Sequence, residues 1–310
     1  MIAFVFPGQG SQKINMLHDF YHEPIVKETF FEASEALGFD LLNLIQYDET
    51  KLNQTEFTQP AILAASIALY RLWIVETGVE ANYLAGHSLG EYAALVAADA
   101  LDFPDAIKLV RLRGQLMQEA VPAGKGAMAV ILGLDDRGVI NACEQAAQGG
   151  IVSAANFNAP GQVVIAGETL AVNRAMETAK VMGAKRALLI PVSVPSHCLL
   201  MHSAAEKLAQ YFETFSIKKP KIKVIHNVDA SLHEDSAEIK LALVKQLDQP
   251  VLWVKSMQTL EALGVNTFVE CGPGKVLTGL NKRIIAEGHF FNLEDQAGFL
   301  EGRSASWIKK

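Results

Sequence analysis

The segment Gly86-His87-Ser88-Leu89-Gly90 has the spacing G-x-S-x-G. That spacing can make a serine hydroxyl a nucleophile, because the serine must stand on a tight turn between a strand and a helix. Glycines on either side let the two elements approach closely. The context agrees: a short apolar run at 82–85 precedes the motif, and Glu91-Tyr92-Ala93-Ala94-Leu95-Val96 continues it with helical character. Ser88 then lies at a helix N-terminus, where backbone N–H groups and the helix dipole favour developing negative charge. The N–H of Leu89, just after the nucleophile, is the expected first oxyanion donor. A second reading fits the same residues, since Ser88-Leu89-Gly90-Glu91 also satisfies the S-x-x-E capping box. On this motif alone the two readings stand level.

A serine nucleophile needs a base. Among the eight histidines, His87 adjoins Ser88, but neighbouring side chains on such a turn diverge, so a structural role is expected. His197 follows a predicted strand and a Pro195-Ser196 turn, which puts it modestly ahead of His202 and His226. Elbow-type hydrolases orient this base with Asp or Glu, and no acid partner stands out here. Arg111 and Arg113 lie two apart on a predicted helix, so they face different directions and only one is expected in a cleft. A guanidinium there would grip a carboxylate through paired hydrogen bonds.

Three short β-rich runs, at 2–6, 82–85 and 265–270, end in glycine turns followed by helical patterns, and 222–228 reads as a further strand. This alternation predicts an α/β fold with a largely parallel sheet. The middle of the chain differs. Strands are predicted at 127–132, 151–155, 162–166 and 185–190, with helices at 135–147 and 169–182. The order βαββαβ is that of a ferredoxin-like module. Pro122-Ala123-Gly124 and the segment from Pro191 to Pro195 are the crossing points. The prediction is a discontinuous large α/β domain, 1–123 and 196–310, with a small subdomain, 124–195, inserted.

The chain has 310 residues, 50% hydrophobic and 20% charged, with net charge −7. This is ordinary globular composition with material for a sizeable core, and it argues against a general nucleic-acid binder. Three widely spaced cysteines without C-x-x-C spacing argue against a disulfide framework and a zinc site and fit a reducing cytosol better. Residues 1–6 are too short for a signal peptide, and the apolar stretch 61–75, interrupted by Arg71, is too short to span a bilayer. A soluble, cytoplasmic, monomeric protein without a membrane partner is expected. Gly272-Pro273-Gly274 lacks the P-loop lysine and serine pattern, so no nucleotide or metal cofactor is implied.

Five segments together carry a more specific resemblance. Gly86-His87-Ser88-Leu89-Gly90-Glu91-Tyr92 resembles the nucleophile motif of the acyltransferases of fatty-acid and polyketide synthesis. Phe6-Pro7-Gly8-Gln9-Gly10-Ser11-Gln12 is similar to that family's N-terminal motif, and Val192-Ser193-Val194-Pro195-Ser196-His197 to its histidine motif. Asn156-Phe157-Asn158-Ala159-Pro160-Gly161-Gln162 and Glu270-Cys271-Gly272-Pro273-Gly274 also match, in the family's order. The resemblance, closest to the malonyl-CoA:acyl-carrier-protein type, implies an α/β-hydrolase-like core with a ferredoxin-like insert. It implies Ser88 as nucleophile, His197 as base, the backbone N–H of Gln9 as second oxyanion donor beside Leu89, and Arg113 as carboxylate-binding residue. In this family a backbone carbonyl in a loop of Asn-Pro-Val-Gln-Trp type orients the histidine. The matching loop here is Gln249-Pro250-Val251-Leu252-Trp253, so the resemblance assigns that carbonyl to Leu252, where a polar residue is often found. Malonyl-CoA is then a substrate, and acyl carrier protein (ACP) the partner. ACPs are acidic, so Lys185-Arg186 and Lys218-Lys219-Pro220-Lys221 are candidate docking runs, the first placed near the histidine segment.

Three rivals stay open at this point: a serine esterase or thioesterase, a non-catalytic ACP-binding protein that kept the fold, and a related acyltransferase with another preference, such as methylmalonyl. The Gln9 loop and Arg113 speak against the first, and intact Ser88, His197 and Arg113 against the second.

Overall fold

The computed structural model describes residues 1–122, 124–192 and 194–305. Ala123 and Ser193, which fall in the two predicted crossing segments, and residues 306–310 lie outside the described residues. The described strands are β1 Ile2–Phe6, β2 Tyr83–Gly86, β3 Gly126–Leu132, β4 Val152–Ala159, β5 Gln162–Glu168, β6 Arg186–Ile190, β7 Lys223–Ile225, β8 Thr267–Glu270 and β9 His289–Asn292. They form two separate sheets.

The first sheet has the order β7-β2-β1-β8-β9, and every pair in it is parallel. A parallel sheet is covered on both faces, so its central strands are apolar throughout rather than alternating. β1 shows this: Phe4 and Phe6 join one hydrophobic cluster, Ala3 and Val5 another. On the first face the helix Thr55–Thr77 sets Tyr70 and Trp73 edge-on to Phe4, each with ring centroids 5.7 Å apart. This helix is longer than the apolar stretch 61–75. By length and composition it could cross a membrane, yet 83% of its most apolar window is buried inside the fold. On the second face Trp253, Met257 and Leu260 of the helix Trp253–Ala262 pack under Val5 and Ala85.

The second sheet has the order β4-β5-β3-β6 and is antiparallel. The helices Asp136–Ala147 and Thr169–Val181 cover one face with a cluster of their own, including Ile131, Val139, Val163, Ile165 and Val172. The opposite face carries Met128, Val164 and Ala166, packed with Cys198. β4 runs to Ala159, beyond the predicted 151–155. Its second half is polar and bulged, so period-two patterning fades there while the ladder to β5 continues. Val251 pairs with this half: its N–H donates to the Ala155 carbonyl and its carbonyl accepts from Phe157 N–H. Strand β9 was not predicted. It is four residues long and half-exposed at the sheet edge, where no apolar pattern marks it.

The turn after β2 is set by sterics. Ser88 has φ +53°, a left-handed conformation that costs a non-glycine residue about 1–2 kcal/mol. A Cβ on Gly86 would stand 1.9 Å from the Gly90 carbonyl carbon, and one on Gly90 would stand 2.0 Å from the Phe6 carbonyl oxygen. Both contacts are with backbone, which cannot yield cheaply. Gly90→Ala is therefore expected to destabilise the protein by about 3 kcal/mol or more, read by urea unfolding. A loss below about 1 kcal/mol, the range of tolerated substitutions, would contradict this account of the turn.

Candidate active site

The strained turn aims the Ser88 hydroxyl into a cleft between the two sheets. His197 meets it from a second strained position, φ +63°, its own N–H anchored on the Leu247 carbonyl at 3.0 Å. His197 Nε2 lies 2.8 Å from Ser88 Oγ, and Nδ1 lies 2.6 Å from the backbone carbonyl of Gln246. A carbonyl only accepts, so Nδ1 carries the proton. Nε2 is then a free lone pair facing the Ser88 O–H. The ring is 3% exposed. Burial, reinforced by the positive charge of Arg113, pushes the imidazole pKa down to about 3, while the Gln246 hydrogen bond acts in the opposite direction.

The Leu252 assignment is thereby corrected. Leu252 precedes the helix Trp253–Ala262, and its carbonyl accepts from Ser256 N–H at 2.9 Å and Ser256 Oγ at 3.0 Å. It is engaged in its own helix turn. Gln246 lies in the last turn of the helix Ser236–Asp248, where the helical partner of its carbonyl would be the N–H of residue 250. That residue is Pro250, which has none. The proline four residues on is the sequence signal that marks Gln246 as the free acceptor.

Three other histidines have their ring nitrogens on other partners, although His87 also lines the cleft. His87 Nε2 is 2.8 Å from Asn158 Oδ1 and its ring packs on Trp253, so it diverges from Ser88. His202 is on the surface with Asp248 at 2.8 Å. His226 is buried with Nδ1 2.7 Å from Glu91 Oε1. The capping-box reading of Ser88 fails as well. The helix Gly90–Ala97 has no side-chain cap, and Glu91 turns inward, accepting from His226, from Asn227 N–H at 3.1 Å and from Gln246 Nε2 at 2.7 Å.

Asn227, which sequence reasoning missed, clasps the turn. Its Oδ1 accepts from Ser88 N–H and its Nδ2 donates to the Gly86 carbonyl, both at 2.7 Å. Nothing local in Ile225-His226-Asn227 signals this, because its partners lie about 140 residues away.

The two arginines separate as their spacing predicts. Arg111 leans on Phe39 and Phe57 and donates to the Leu37 carbonyl. Arg113 is 1% exposed. It donates to Gln59 Oε1 and Gln246 Oε1, each at 2.9 Å, and its NH2 lies 3.3 Å from Ser88 Oγ. Its Nε has no partner, and no carboxylate contacts the guanidinium among the described residues. Burial lowers its pKa, and a buried cation in this state is a receptor for an anion.

Ser88, His197, Arg113, Gln9 and Leu89 line one cavity of about 180 Å³, whose remaining wall includes Met128 and Val164 of the small sheet. The Gln9 side chain is fixed by Thr55 Oγ1 at 3.2 Å. Its backbone N–H and that of Leu89 donate to no other group among the described residues. Lys185 and Arg186 are exposed at the start of β6. Ile190, at its other end, lines the cavity, so the basic pair stands roughly 13 Å along the strand from the cleft wall, farther than its place in the sequence implied. Lys219 and Lys221 of the other basic run pair with Glu234 and Asp99. No group of three or more metal-ligating side chains occurs among the described residues.

This arrangement can be compared with known proteins. Residues 3–289 match the acyl transferase domain family. A malonyl CoA-acyl carrier protein transacylase of Haemophilus influenzae is 54% identical over 300 residues, covering 96% of each chain. The crystal structure of an acyl carrier protein S-malonyltransferase from Vibrio cholerae superposes with TM-score 0.94 at 53% identity, covering 97% of this chain and 99% of that one. A malonyl-transacylase solved in complex with its type II PKS acyl-carrier protein gives TM-score 0.95 at 51% identity, covering 96% and 97%. The chain, with its serine on a glycine-flanked turn and a histidine held by a main-chain carbonyl, therefore belongs to the acyl transferase domain family, in its malonyl CoA-acyl carrier protein transacylase branch.

Proposed function

We infer that this enzyme transfers the malonyl group of malonyl-CoA to the phosphopantetheine thiol of ACP in fatty-acid synthesis, through a malonyl-serine intermediate. The observation that carries the malonyl assignment is Arg113, a buried guanidinium without a carboxylate of its own, 3.3 Å from Ser88 Oγ. In the first half-reaction Ser88 gives its proton to His197 Nε2 as Oγ attacks the thioester carbonyl. The backbone N–H groups of Gln9 and Leu89 receive the oxyanion, and Arg113 holds the malonyl carboxylate. Collapse breaks the C–S bond, His197 protonates the leaving thiolate, and CoA departs. In the second half the ACP thiol passes its proton to His197 and attacks the ester, and the Ser88 hydroxyl is restored.

The architecture supports a division into a large α/β-hydrolase-like domain, 1–123 and 196–310, and a ferredoxin-like subdomain, 124–195. The sheet order β4-β5-β3-β6 with both helices on one face fits that module. Substrate then binds between the two. Lys185 and Arg186 form no ion pair among the described residues and remain the candidate docking surface for ACP.

Incubation with radiolabelled malonyl-CoA should leave a labelled protein that discharges to ACP. Rapid loss of label to water would favour a hydrolase instead. Ser88→Ala should abolish labelling. Arg113→Ala should lower kcat/KM for malonyl-CoA by about 30- to 150-fold, the ~2–3 kcal/mol of a charged hydrogen-bonded contact, with a smaller effect on acetyl-CoA. Equal effects on the two donors would contradict the carboxylate assignment.

A protonated imidazole cannot take the Ser88 proton, so activity falls as pH drops through the pKa of His197. In the free enzyme that pKa is pushed down to about 3. The kcat/KM for malonyl-CoA, which reports the free enzyme, should therefore show no acid limb between about pH 7 and 5. A limb near the ordinary imidazole value of about 6.5 would contradict it.

Reversing both charges with Lys185→Glu and Arg186→Glu should raise the KM for ACP about tenfold, as loss of rim charges does, and leave acylation by malonyl-CoA unchanged. Unaltered ACP kinetics would remove this surface from the proposal.

A further inference from the structure

Beneath the catalytic pair lies a buried carboxylate to which the transfer reaction assigns no part. Glu91 is fully buried, and its contacts come only from donors: His226 Nδ1, Asn227 N–H and Gln246 Nε2. Both of its oxygens therefore act only as acceptors, the hydrogen-bond pattern of a carboxylate. His226 does not cancel that charge. Its Nδ1 faces Glu91 and its Nε2 is buried without a partner, so an N–H on Nε2 as well would be an unsatisfied buried donor. Across one amide from Glu91 stands Arg113: Gln246 donates to Glu91 through Nε2 and accepts from Arg113 through Oε1. The same Gln246 supplies the carbonyl that holds His197 and donates to the Ser88 carbonyl.

We propose that Glu91 is a positioning residue and the countercharge of Arg113: through the Gln246 amide it compensates the buried guanidinium while the cleft is empty and yields that role to the substrate carboxylate on binding. The titratable and charged groups around Glu91 are His226 in direct contact, His233 with its ring 5.1 Å from that of His226, Tyr92 next in the chain, and Arg113 and His197 across Gln246. Of these only Arg113 is a permanent cation. Two consequences follow. Gln246 can have only one amide orientation, because Glu91 needs its NH2 and Arg113 its oxygen, and this fixes the residue whose carbonyl steers His197. The field of Arg113, which opposes protonation of His197, is moderated until malonyl arrives.

The proposal rests on the transferase reading only where malonyl-CoA is used. A neutral serine-directed sulfonyl fluoride reports on Ser88 and His197 whatever the acyl substrate. Glu91→Gln keeps the size of the side chain and removes its charge; the new amide can donate to His226 only if that ring shifts its proton to Nε2, where it has no partner. Inactivation by the sulfonyl fluoride should slow about tenfold, the effect of moving a neighbouring charge. Acylation by malonyl-CoA, which brings its own carboxylate, should slow less than about threefold, and its KM should fall because the guanidinium has lost a competing anion. In an Arg113→Met background the same change should alter sulfonyl fluoride inactivation by less than about twofold, the cycle that isolates coupling between the two sites. Equal losses with both reagents at unchanged KM, the same loss in the Arg113→Met background, or no loss at all would each overturn the proposal. If Glu91→Gln does not fold, the double variant should, because it leaves no unpaired buried charge. Failure of both to fold would also overturn it.

Discussion

The hydrogen bond from His197 Nδ1 to the Gln246 carbonyl, 2.6 Å long, fixes the tautomer, and with it the direction in which the Ser88 proton can move. A neutral carbonyl does this differently from the carboxylate of an Asp-containing triad. It orients the ring without adding a charge that would stabilise the imidazolium. Burial, reinforced by the charge of Arg113, keeps that imidazole neutral far below its ordinary range, while the Gln246 hydrogen bond pulls the other way. The carbonyl is open only because Pro250 cannot supply the N–H that a continuing helix would. One missing backbone donor thus determines the tautomer of this imidazole.

The rest of the cleft is arranged around the residue that carries this carbonyl. The side chain of Gln246 reaches Ser88, Glu91 and Arg113, so these three and, through its carbonyl, His197 share one support. Asn227 ties the Ser88 turn from below, and its own carbonyl accepts from Leu252 N–H. The neighbouring Val251 joins β4 of the second sheet. The Ser88 turn and β4, which helps wall the cavity, are therefore connected through Asn227, Leu252 and Val251 rather than through apolar packing alone. Buried polar networks of this kind are stable only when their members are satisfied. The Nε of Arg113, the Nε2 of His226 and the hydroxyl of Tyr92, whose ring lies 5.4 Å from the Arg113 guanidinium, are exceptions at this site.

The sequence made the local features legible and left the long-range ones hidden. Strand β1 is read to the residue, since a run such as Ala3-Phe4-Val5-Phe6 ended by Pro7-Gly8 leaves little choice. The βαββαβ order of the second sheet is readable because its helices and strands have different apolar periods. The glycine spacing around Ser88 announces the turn because sterics admit nothing else there. Arg113 and Gln9, by contrast, gain meaning from resemblance, since an arginine on a helix and a glycine-flanked glutamine have no chemistry of their own. Asn227, Glu91 and the side chain of Gln246 could not be found at all. Each is defined by partners from distant segments, and a buried Glu91 even imitates a common helix cap. Leu252 was assigned by the pattern of its loop, while the hydrogen-bond arithmetic around Pro250 points four residues upstream of that proline.

The central claim is that the malonyl group sits on Ser88 with its carboxylate on Arg113. A crystal structure of the protein trapped as the malonyl-Ser88 ester tests it most directly. The carboxylate should accept hydrogen bonds from the Arg113 guanidinium, at about 2.7–2.9 Å as charged pairs do, with the ester oxygen facing the N–H groups of Gln9 and Leu89. A malonyl carboxylate pointing into solvent, or an acyl group carried on any residue other than Ser88, would contradict the account.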